Sequence, residues 1–258
     1  MAGETLLFDV GNTRIKWGII RGDGSSELTK TGAISHAALR AKGYESLTKR
    51  LPRKATDALA CNVAGADVGT RLARAIGIHI AGDLRFVRSE RSRLGVTNGY
   101  SQPRTLGVDR WVAMIGARSL FSQALVVVDA GTAVTIDALN RDGQHQGGFI
   151  LPGLDLMASS LARDTSDIGA TSGRRSASNG EFGRTTRRAV AAGSLAAACG
   201  AVEHAVSLLK SRSGRPRIVL TGGDASRMLA VLDADAEHRP TLVLDGLACL
   251  AVTTGNAA

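Results

Sequence analysis

Two stretches of this sequence share one pattern: an apolar strand that ends on an aspartate and is followed at once by a glycine-containing turn. The first stretch runs from Leu6 to Lys16 and places its aspartate at Asp9, and the second runs from Leu125 to Ile136 around Asp129. One such turn is a weak signal, because aspartate and glycine are both common turn residues. Two of them, about half a chain apart, predict two similar lobes that close on one nucleotide.

The first turn offers the groups that bind phosphate, and Asp9 is placed for a metal ion. The candidate phosphate donors are Gly11, Asn12, Thr13 and Lys16. An aspartate that only caps its own turn is the alternative, but the second turn repeats the pattern with Gly131 and Thr132, which favours phosphate contact at both. The stretch is not a Walker loop, which needs a longer glycine-rich run that ends in Gly-Lys-Ser/Thr and opens a helix.

Two further motifs are candidates for a site. Asp109 and Arg110 begin a predicted helix, where an acid is favoured by the helix dipole even without a function. Gly222 and Gly223 follow Thr221 at the end of a predicted strand, and they allow a flat ligand such as a nucleobase to approach the backbone. A plain strand-to-helix turn would account for those two glycines equally well.

The order of predicted elements indicates a mixed α/β chain with antiparallel opening strands in each half. We expect residues 1–105 to form the first lobe and residues 106–258 the second, with a polar connector or substrate loop from Ser89 to Thr105. Helical periodicity predicts one helix from His36 to Leu51 that Pro52 stops. We also expect a mobile loop from Arg163 to Arg184, and a short strand at 242–244 before a last helix.

Composition limits the classes of function that remain. The net charge of +9 is compatible with a nucleic-acid partner or with an anionic small substrate, and aromatic residues at 3% leave little for base stacking, which disfavours nucleic acid. The three separated cysteines indicate buried thiols in a reducing cytoplasm. The apolar stretch from Ala189 to Leu209 is rich in alanine and contains Gly193 and Gly200, which indicates a buried helix and no membrane span. The five histidines show no ligand spacing, and we expect none to be catalytic.

The chain resembles the type III pantothenate kinases of the superfamily that includes acetate kinase, sugar kinases and actin. The resemblance covers nearly the whole chain and rests on motifs in a fixed order. These are Asp9–Lys16, Tyr100–Arg110, Asp129–Thr132, Gly147–Gly153, Thr186–Gly193 and Thr221–Gly223. It implies two actin- and ribonuclease H-like lobes, each a mixed sheet flanked by helices, with the active site in the cleft between them.

The resemblance also implies a cytoplasmic homodimer that phosphorylates the terminal hydroxyl of pantothenate with ATP and Mg²⁺, the first step of coenzyme A synthesis. In that reading Asp109 is the base, and Asp129 binds a monovalent cation, K⁺ or NH₄⁺. The implied ATP-binding residues are Asp9, Val10, Gly11, Asn12, Thr13, Arg14, Ile15, Lys16, Gly131, Thr132, Gly222 and Gly223, with Mg²⁺ near Asp9 through the phosphates. The implied pantothenate-binding residues are Tyr100, Gly107, Val108, Asp109, Arg110 and, from the partner subunit, Thr186.

Three alternatives stay open at this point. Thr185 could replace Thr186 at the substrate, because the family often has Asn-Thr where this chain has two threonines. The small residues Gly193, Ala197, Gly200 and Ala201 recur on one helical face, which suits either a dimer contact or packing within the chain. Another small-molecule kinase of the superfamily, or a transcriptional accessory factor, is the alternative function.

Overall fold

A computed structural model describes residues 3–164, 181–232 and 236–255, which form two compact units. The first unit comprises Met1–Leu120 with Thr241–Ala258, and the second comprises Phe121–Pro240. This division differs from the predicted boundary at residue 105. The reason is that two helices, at Val108–Leu120 and Leu242–Gly255, pack against each other and on the sheet of the first unit.

The first unit is built on a five-stranded sheet. Its strands are β1 (Glu4–Val10), β2 (Arg14–Arg21), β3 (Leu28–Ser35), β4 (Ala55–Asn62) and β5 (Leu84–Phe86). A small hairpin, β6 (Ser92–Arg93) and β7 (Val96–Thr97), and a 3₁₀ turn (Pro103–Thr105) follow. Its helices are α1 (His36–Lys42), α2 (Glu45–Thr48), α3 (Ala66–His79) and α4 (Val108–Leu120), and the last helix of the chain, named α8 below (Leu242–Gly255), returns to it.

Alternation along β1 explains how the first unit forms three layers. Leu6, Phe8 and Val10 point into one core with α1, α2 and α3, whereas the helices α4 and α8 contact the strands from outside that core. The two helices approach closely at Gly116 and Gly246. A Cβ on either residue would collide with backbone atoms of the other helix.

The second unit repeats this plan. Its strands are β8 (Leu125–Ala130), β9 (Ala133–Leu139), β10 (His145–Pro152), β11 (Arg217–Thr221) and β12 (Ala236–His238). Its helices are α5 (Leu154–Asp164), α6 (Thr186–Ser213) and α7 (Ala225–Leu229). The strand orders are β3-β2-β1-β4-β5 and β10-β9-β8-β11-β12, and in both sheets the first three strands in sequence are antiparallel while the last two run parallel to the first. The expected α/β fold of two similar lobes, each a mixed sheet with helices, is therefore confirmed.

The long helix α6 forms much of the core of the second unit. Within its segment Thr186–Lys210 a window of 18 residues has a mean hydropathy of 1.4, and among the described residues this is the one helix long and apolar enough to cross a membrane. Leu195, Cys199 and Val202 are buried in the core formed with β8 and β11. Burial raises the pKa of the Cys199 thiol to about 11, with a smaller contribution from the Glu203 carboxylate.

Some elements differ from the sequence-based expectation. The helix predicted from His36 to Leu51 is two helices, because the chain turns at Gly43 with φ of +69°. The predicted strand at 242–244 is the first turn of α8, since a short apolar run fits a buried helix as well as a strand. Of the loop predicted from Arg163 to Arg184, residues 163–164 end α5 and residues 165–180 lie outside the described residues. Cys61 and Cys199 are buried free thiols as expected, and Cys249 is half-buried.

Candidate active site

The first hairpin places a carboxylate and an ammonium group side by side. Asp9 on β1 lies directly opposite Lys16 on β2, and opposed residues of an antiparallel pair share one face. The turn between the strands is closed by the N–H of Gly11, which donates to the carbonyl of Arg14 at 3.1 Å. Asn12, Thr13 and Arg14 are exposed at its tip. The tip can therefore present both backbone and side-chain donors to an anion.

Two of the residues implied to bind ATP have no exposed side chain. Val10 and Ile15 are opposite each other and fully buried in the core of the first unit. They can offer a ligand only backbone groups, and their side chains anchor the base of the hairpin to the core.

His36, for which the sequence predicts no catalytic role, contacts this turn. The Nε2 atom of His36 lies 2.7 Å from the carbonyl oxygen of Gly11, and the backbone N–H of His36 donates to the carbonyl of Thr13 at 3.1 Å. His36 stands 25 residues from Gly11 in sequence. No local pattern could have indicated this contact, because it depends on how β3 pairs with β2.

The second hairpin has a shorter turn. Asp129 is the penultimate residue of β8 and lies opposite Thr135, and the N–H of Gly131 donates to the carbonyl of Ala133 at 2.9 Å. Thr132 is exposed at the tip. The structure thus builds the same kind of carboxylate-plus-turn element in each unit, as the repeated sequence pattern predicted.

Three chain segments meet at this second turn. The N–H of Gly153 donates to the carbonyl of Thr132, and the N–H of Asp224 donates to the carbonyl of Ala130, both at 2.9 Å. A Cβ on Gly153 would collide with the backbone oxygens of the turn, and one on Gly222 would lie 2.5 Å from Oδ1 of Asp129. Gly222 also has φ of +96°, a conformation that favours glycine. The second unit therefore brings together all five residues that the sequence placed there: Asp129, Gly131, Thr132, Gly222 and Gly223.

An ion pair ties the glycine turn to α5. Nη1 of Arg227 lies 3.1 Å from Oδ1 of Asp224 and 3.6 Å from Oδ1 of Asp155. Because Asp224 follows Gly223 directly, Arg227 helps to fix the turn after β11. These three residues were not predicted from the sequence.

The oxygen atoms around Asp129 suit a hard cation. The carboxylate of Asp129 and the carbonyl of Ala130 both border Gly222, where a Cβ would lie 2.5 Å from the carboxylate oxygen and closer still to the carbonyl oxygen. Oxygen ligands of this kind bind alkali and alkaline-earth ions. Among the described residues there is no group of three or more histidine, cysteine or acidic side chains that could form a protein-only metal cage. Mg²⁺ held largely by nucleotide phosphates, with one or two carboxylates nearby, matches that residue set.

Asp109 lies in the first turn of α4 and is held close to its own backbone. Its Oδ1 accepts a hydrogen bond from the N–H of Arg110 at 2.8 Å. A Cβ on Gly107 would lie 2.8 Å from the same oxygen, so a larger residue at 107 would displace the carboxylate from this position. The helix dipole favours a negative charge here.

Arg110 and Tyr100 form one recognition pair. Nη1 of Arg110 donates to the Tyr100 hydroxyl at 3.0 Å, and the guanidinium lies 5.7 Å from the centroid of the tyrosine ring. Arg110 is only 6% exposed. Asn98, also buried, positions the tyrosine: it accepts from the N–H of Tyr100 at 2.9 Å and donates to the carbonyls of Glu90 and Pro103.

A cavity of about 540 Å³ lies beside the start of α4, within the range of small-molecule pockets. Gly107 and Val108 line it, together with Arg88 and Arg104. No carboxylate is among its lining residues, so an anion can approach it without repulsion from within. The remaining lining residues are Asn62, Val63, Phe86, Val87, Ser89, Thr105 and Leu106.

The two threonines at the start of α6 have different environments. Thr185 is the N-cap, and its side chain accepts from the N–H of Arg188 at 3.3 Å. Thr186 is the first residue of the helix, and its side chain is exposed. The hydroxyl of Thr185 is thus used in capping, which leaves Thr186 as the better candidate to meet a ligand.

Comparisons with known proteins agree over most of the chain. The family model described as type III pantothenate kinase matches residues 5–208. A type III pantothenate kinase from Azoarcus sp. (strain BH72) is 42% identical over 247 residues, covering 95% of this chain and 90% of its own length. One from Aromatoleum aromaticum is 39% identical over 247 residues, covering 95% and 97%. The crystal structure of component A of the (R)-2-hydroxyglutaryl-CoA dehydratase from Acidaminococcus fermentans matches with a TM-score of 0.57 over the full length of both chains at 14% identity, a likeness of fold alone.

Proposed function

This chain belongs to the type III pantothenate kinase family, and we propose from that premise how its residues perform the reaction. The enzyme transfers the γ-phosphoryl group of ATP to the terminal hydroxyl of pantothenate and forms 4′-phosphopantothenate, the first step of coenzyme A biosynthesis. The match over residues 5–208 is the observation on which the function rests. The residue roles below are supported by the geometry of each unit.

On the nucleotide side, the first hairpin binds phosphate through the turn at Gly11–Thr13 and through Lys16. Lys16 stands directly opposite Asp9, so its ammonium is held on the same face as the carboxylate. In the second unit, Gly131 and Thr132 contact ATP, and Gly222 and Gly223 border the adenosine. The close approach of backbone at Gly153 and Gly222 leaves no room for side chains in this turn, which suits contact with a flat ligand.

On the acceptor side, Asp109 orients the hydroxyl of pantothenate and accepts its proton. An aspartate pKa near 4 is far below that of an alcohol, so Asp109 does not form an alkoxide in the ground state. It need not, because in a loose transition state the bond to the leaving group breaks early and the hydroxyl becomes acidic late. A general base of this kind accelerates the reaction about 10²–10⁴-fold.

The pantothenate molecule itself lies against Tyr100, Gly107, Val108 and Arg110 in this proposal. Of these residues, Gly107 and Val108 line the cavity beside α4, whose lining also contains Arg88 and Arg104 to attract an acceptor that carries a negative charge. Tyr100, Asp109 and Arg110 are not among the residues that line it. Arg110, held by Tyr100, is the natural partner for a carboxylate, because a guanidinium can form two parallel hydrogen bonds to it.

Two cations are part of the proposal. Mg²⁺, bound through the phosphates near Asp9, would offset the charge that grows on the transferred group. Asp129 would hold a monovalent cation, K⁺ or NH₄⁺, and the carbonyl of Ala130 beside it is a further candidate ligand. Lys16 adds a third positive charge from the protein.

We also propose a homodimer in which a second copy of this chain covers α6. Gly193, Ala197 and Gly200 are exposed on one face, and a Cβ on either glycine would meet no atom within 4 Å. Beside this face lies an apolar groove of about 300 Å³, where Phe149 stacks on His204 with centroids 5.9 Å apart. Leu208 in the groove lining is 51% exposed, and Ile150, next to Phe149 on β10, is 64% exposed. Small residues allow close helix contact, and the apolar rim favours burial against an identical surface.

A dimer on α6 would give the exposed hydroxyl of Thr186 a role at the pantothenate site of the partner subunit. The same proposal places the enzyme in the cytoplasm, where free thiols such as Cys61 and Cys199 stay reduced.

The deciding experiment is ADP release by the purified protein with pantothenate, Mg-ATP and K⁺, beside reactions that lack pantothenate or replace K⁺ with Na⁺. Release that requires both pantothenate and K⁺ is expected. Release without pantothenate would indicate an ATPase or another acceptor, and indifference to the cation would remove Asp129 from its role. No release despite bound ATP would favour a regulatory protein.

A further inference from the structure

We propose that His36 is a positioning residue that sets the geometry of the phosphate-binding turn in the first hairpin. Its Nε2 lies 2.7 Å from the carbonyl oxygen of Gly11. A carbonyl only accepts, so Nε2 carries the hydrogen and donates. The proposal rests on the function proposed above and adds a residue that contacts the turn and not the substrate.

The contact orients the peptide group that faces a ligand. A trans peptide is planar, and its N–H points opposite to its C=O. Because the carbonyl of Gly11 is directed at the imidazole, the N–H of Asn12 is directed away from it. The backbone N–H of His36 donates to the carbonyl of Thr13 at 3.1 Å, so His36 holds the peptide group before Asn12 and the one after Thr13.

His36 is itself fixed by the start of α1. Ser35 is the N-cap of that helix, and its side chain accepts from the N–H of Ala38 at 3.2 Å. His36 is therefore the first helical residue, directly after β3, and its backbone position is determined on both sides. Because β3 and α1 hold the backbone of His36, its imidazole can restrict the movement of the turn.

The second unit provides an internal comparison. The residue after its third strand is Gly153, whose N–H donates to the carbonyl of Thr132 at 2.9 Å, as the N–H of His36 donates to that of Thr13. At Gly153 even a Cβ would collide with the backbone of the turn, so this shorter turn is supported by direct backbone contact. The turn of the first hairpin is one residue longer than that of the second. The imidazole of His36 supports the first turn, as the close backbone of Gly153 supports the second.

The test compares His36→Phe, which removes the donor, with His36→Gln, which keeps an N–H at similar reach. His79 gives a matched control, because its Nε2 also bonds a backbone carbonyl of the first unit, that of Leu51 at 3.1 Å, with no contact to the hairpin turn. We expect His36→Phe to raise the KM for ATP about 3- to 10-fold and leave the KM for pantothenate within twofold. His36→Gln should restore most of the ATP affinity, and His79→Phe should change neither KM.

An unchanged KM for ATP in His36→Phe, an equal rise for both substrates, or failure of His36→Gln to rescue would overturn the proposal. The affinity for ADP, measured by calorimetry without pantothenate, should fall in His36→Phe, recover in His36→Gln and stay unchanged in His79→Phe. That measurement tests His36 even if the wild-type protein releases no ADP with pantothenate, which would refute the function alone. If His36→Phe does not fold, nitrogen NMR shifts of His36 in the wild-type protein test the proposal by showing its tautomer. A neutral imidazole with its hydrogen on Nδ1 cannot donate from Nε2 to the Gly11 carbonyl and would overturn the proposal.

Discussion

Arg110 donates a hydrogen bond to the hydroxyl of Tyr100 while its guanidinium lies over the face of the same ring. The two residues are ten positions apart, and a buried asparagine, Asn98, fixes the loop that brings the tyrosine to the helix. Burial and the contact with Tyr100 together fix the direction of the guanidinium. The pair is therefore suited to recognise a planar anionic group such as a carboxylate.

Removal of the tyrosine hydroxyl should weaken acceptor binding. Tyr100→Phe deletes a hydrogen bond to a charged group, so we expect the KM for pantothenate to rise about tenfold while the KM for ATP stays unchanged. Tyr44→Phe is the matched control, since the chain has two tyrosines and Tyr44 lies before α2. Steady-state kinetics with each substrate varied would check this. A rise in both KM values would show that the loop as a whole has moved.

Neutralising Asp109 should slow the chemical step. For Asp109→Asn we expect kcat to fall about 10²–10⁴-fold with ADP binding intact, because the amide cannot take the hydroxyl proton. Asp67→Asn is the control, an acid in the first turn of α3 that pairs on the surface with Arg71. Turnover close to wild type in Asp109→Asn would remove this residue from the role of base.

A methyl group at Gly222 should disturb the second turn. Gly222→Ala combines positive φ with a collision against Ala130 and Asp129, so we expect both lower thermal stability and a raised KM for ATP. Gly214→Ala separates the two effects, because Gly214 has φ of +77° but no atom within 4 Å of a Cβ. That control should lose about 1–3 kcal/mol of stability through strain alone and keep its ATP kinetics. Equal KM values in the two variants would contradict a role for the turn at ATP.

A large side chain at Gly200 should separate the proposed dimer. Leucine is a better helix former than glycine, so Gly200→Leu should not weaken α6 itself. We expect sedimentation to shift from dimer to monomer and kcat/KM for pantothenate to fall with it. Gly77→Leu, at an equally open position on α3, should stay dimeric. A wild-type protein that sediments as a monomer at assay concentration would refute the shared site.

The sequence by itself determined the two hairpins, although their first strands continue one residue past the aspartates, to Val10 and Ala130. Strand alternation, a terminal aspartate and a glycine turn are encoded within about ten residues, so Asp9, Asp129 and the turns that follow them could be read directly. The repetition of that pattern also predicted the two similar lobes, which the identical strand orders confirm. The sequence predicted a strand at 242–244 wrongly, because a short apolar run fits either a strand or a buried helix, and Leu242–Gly255 is wholly helical.

Only the tertiary structure decided which distant residues support those turns. His36 reaches Gly11, Gly153 and Asp224 reach the second turn, and Asn98 holds Tyr100 through contacts set by strand register and loop packing. The same holds for α4 and α8, which are far apart in sequence and join the first unit because Gly116 and Gly246 let them meet. Contacts of this kind depend on how separate elements pair, and a local pattern of residue types does not predict that pairing.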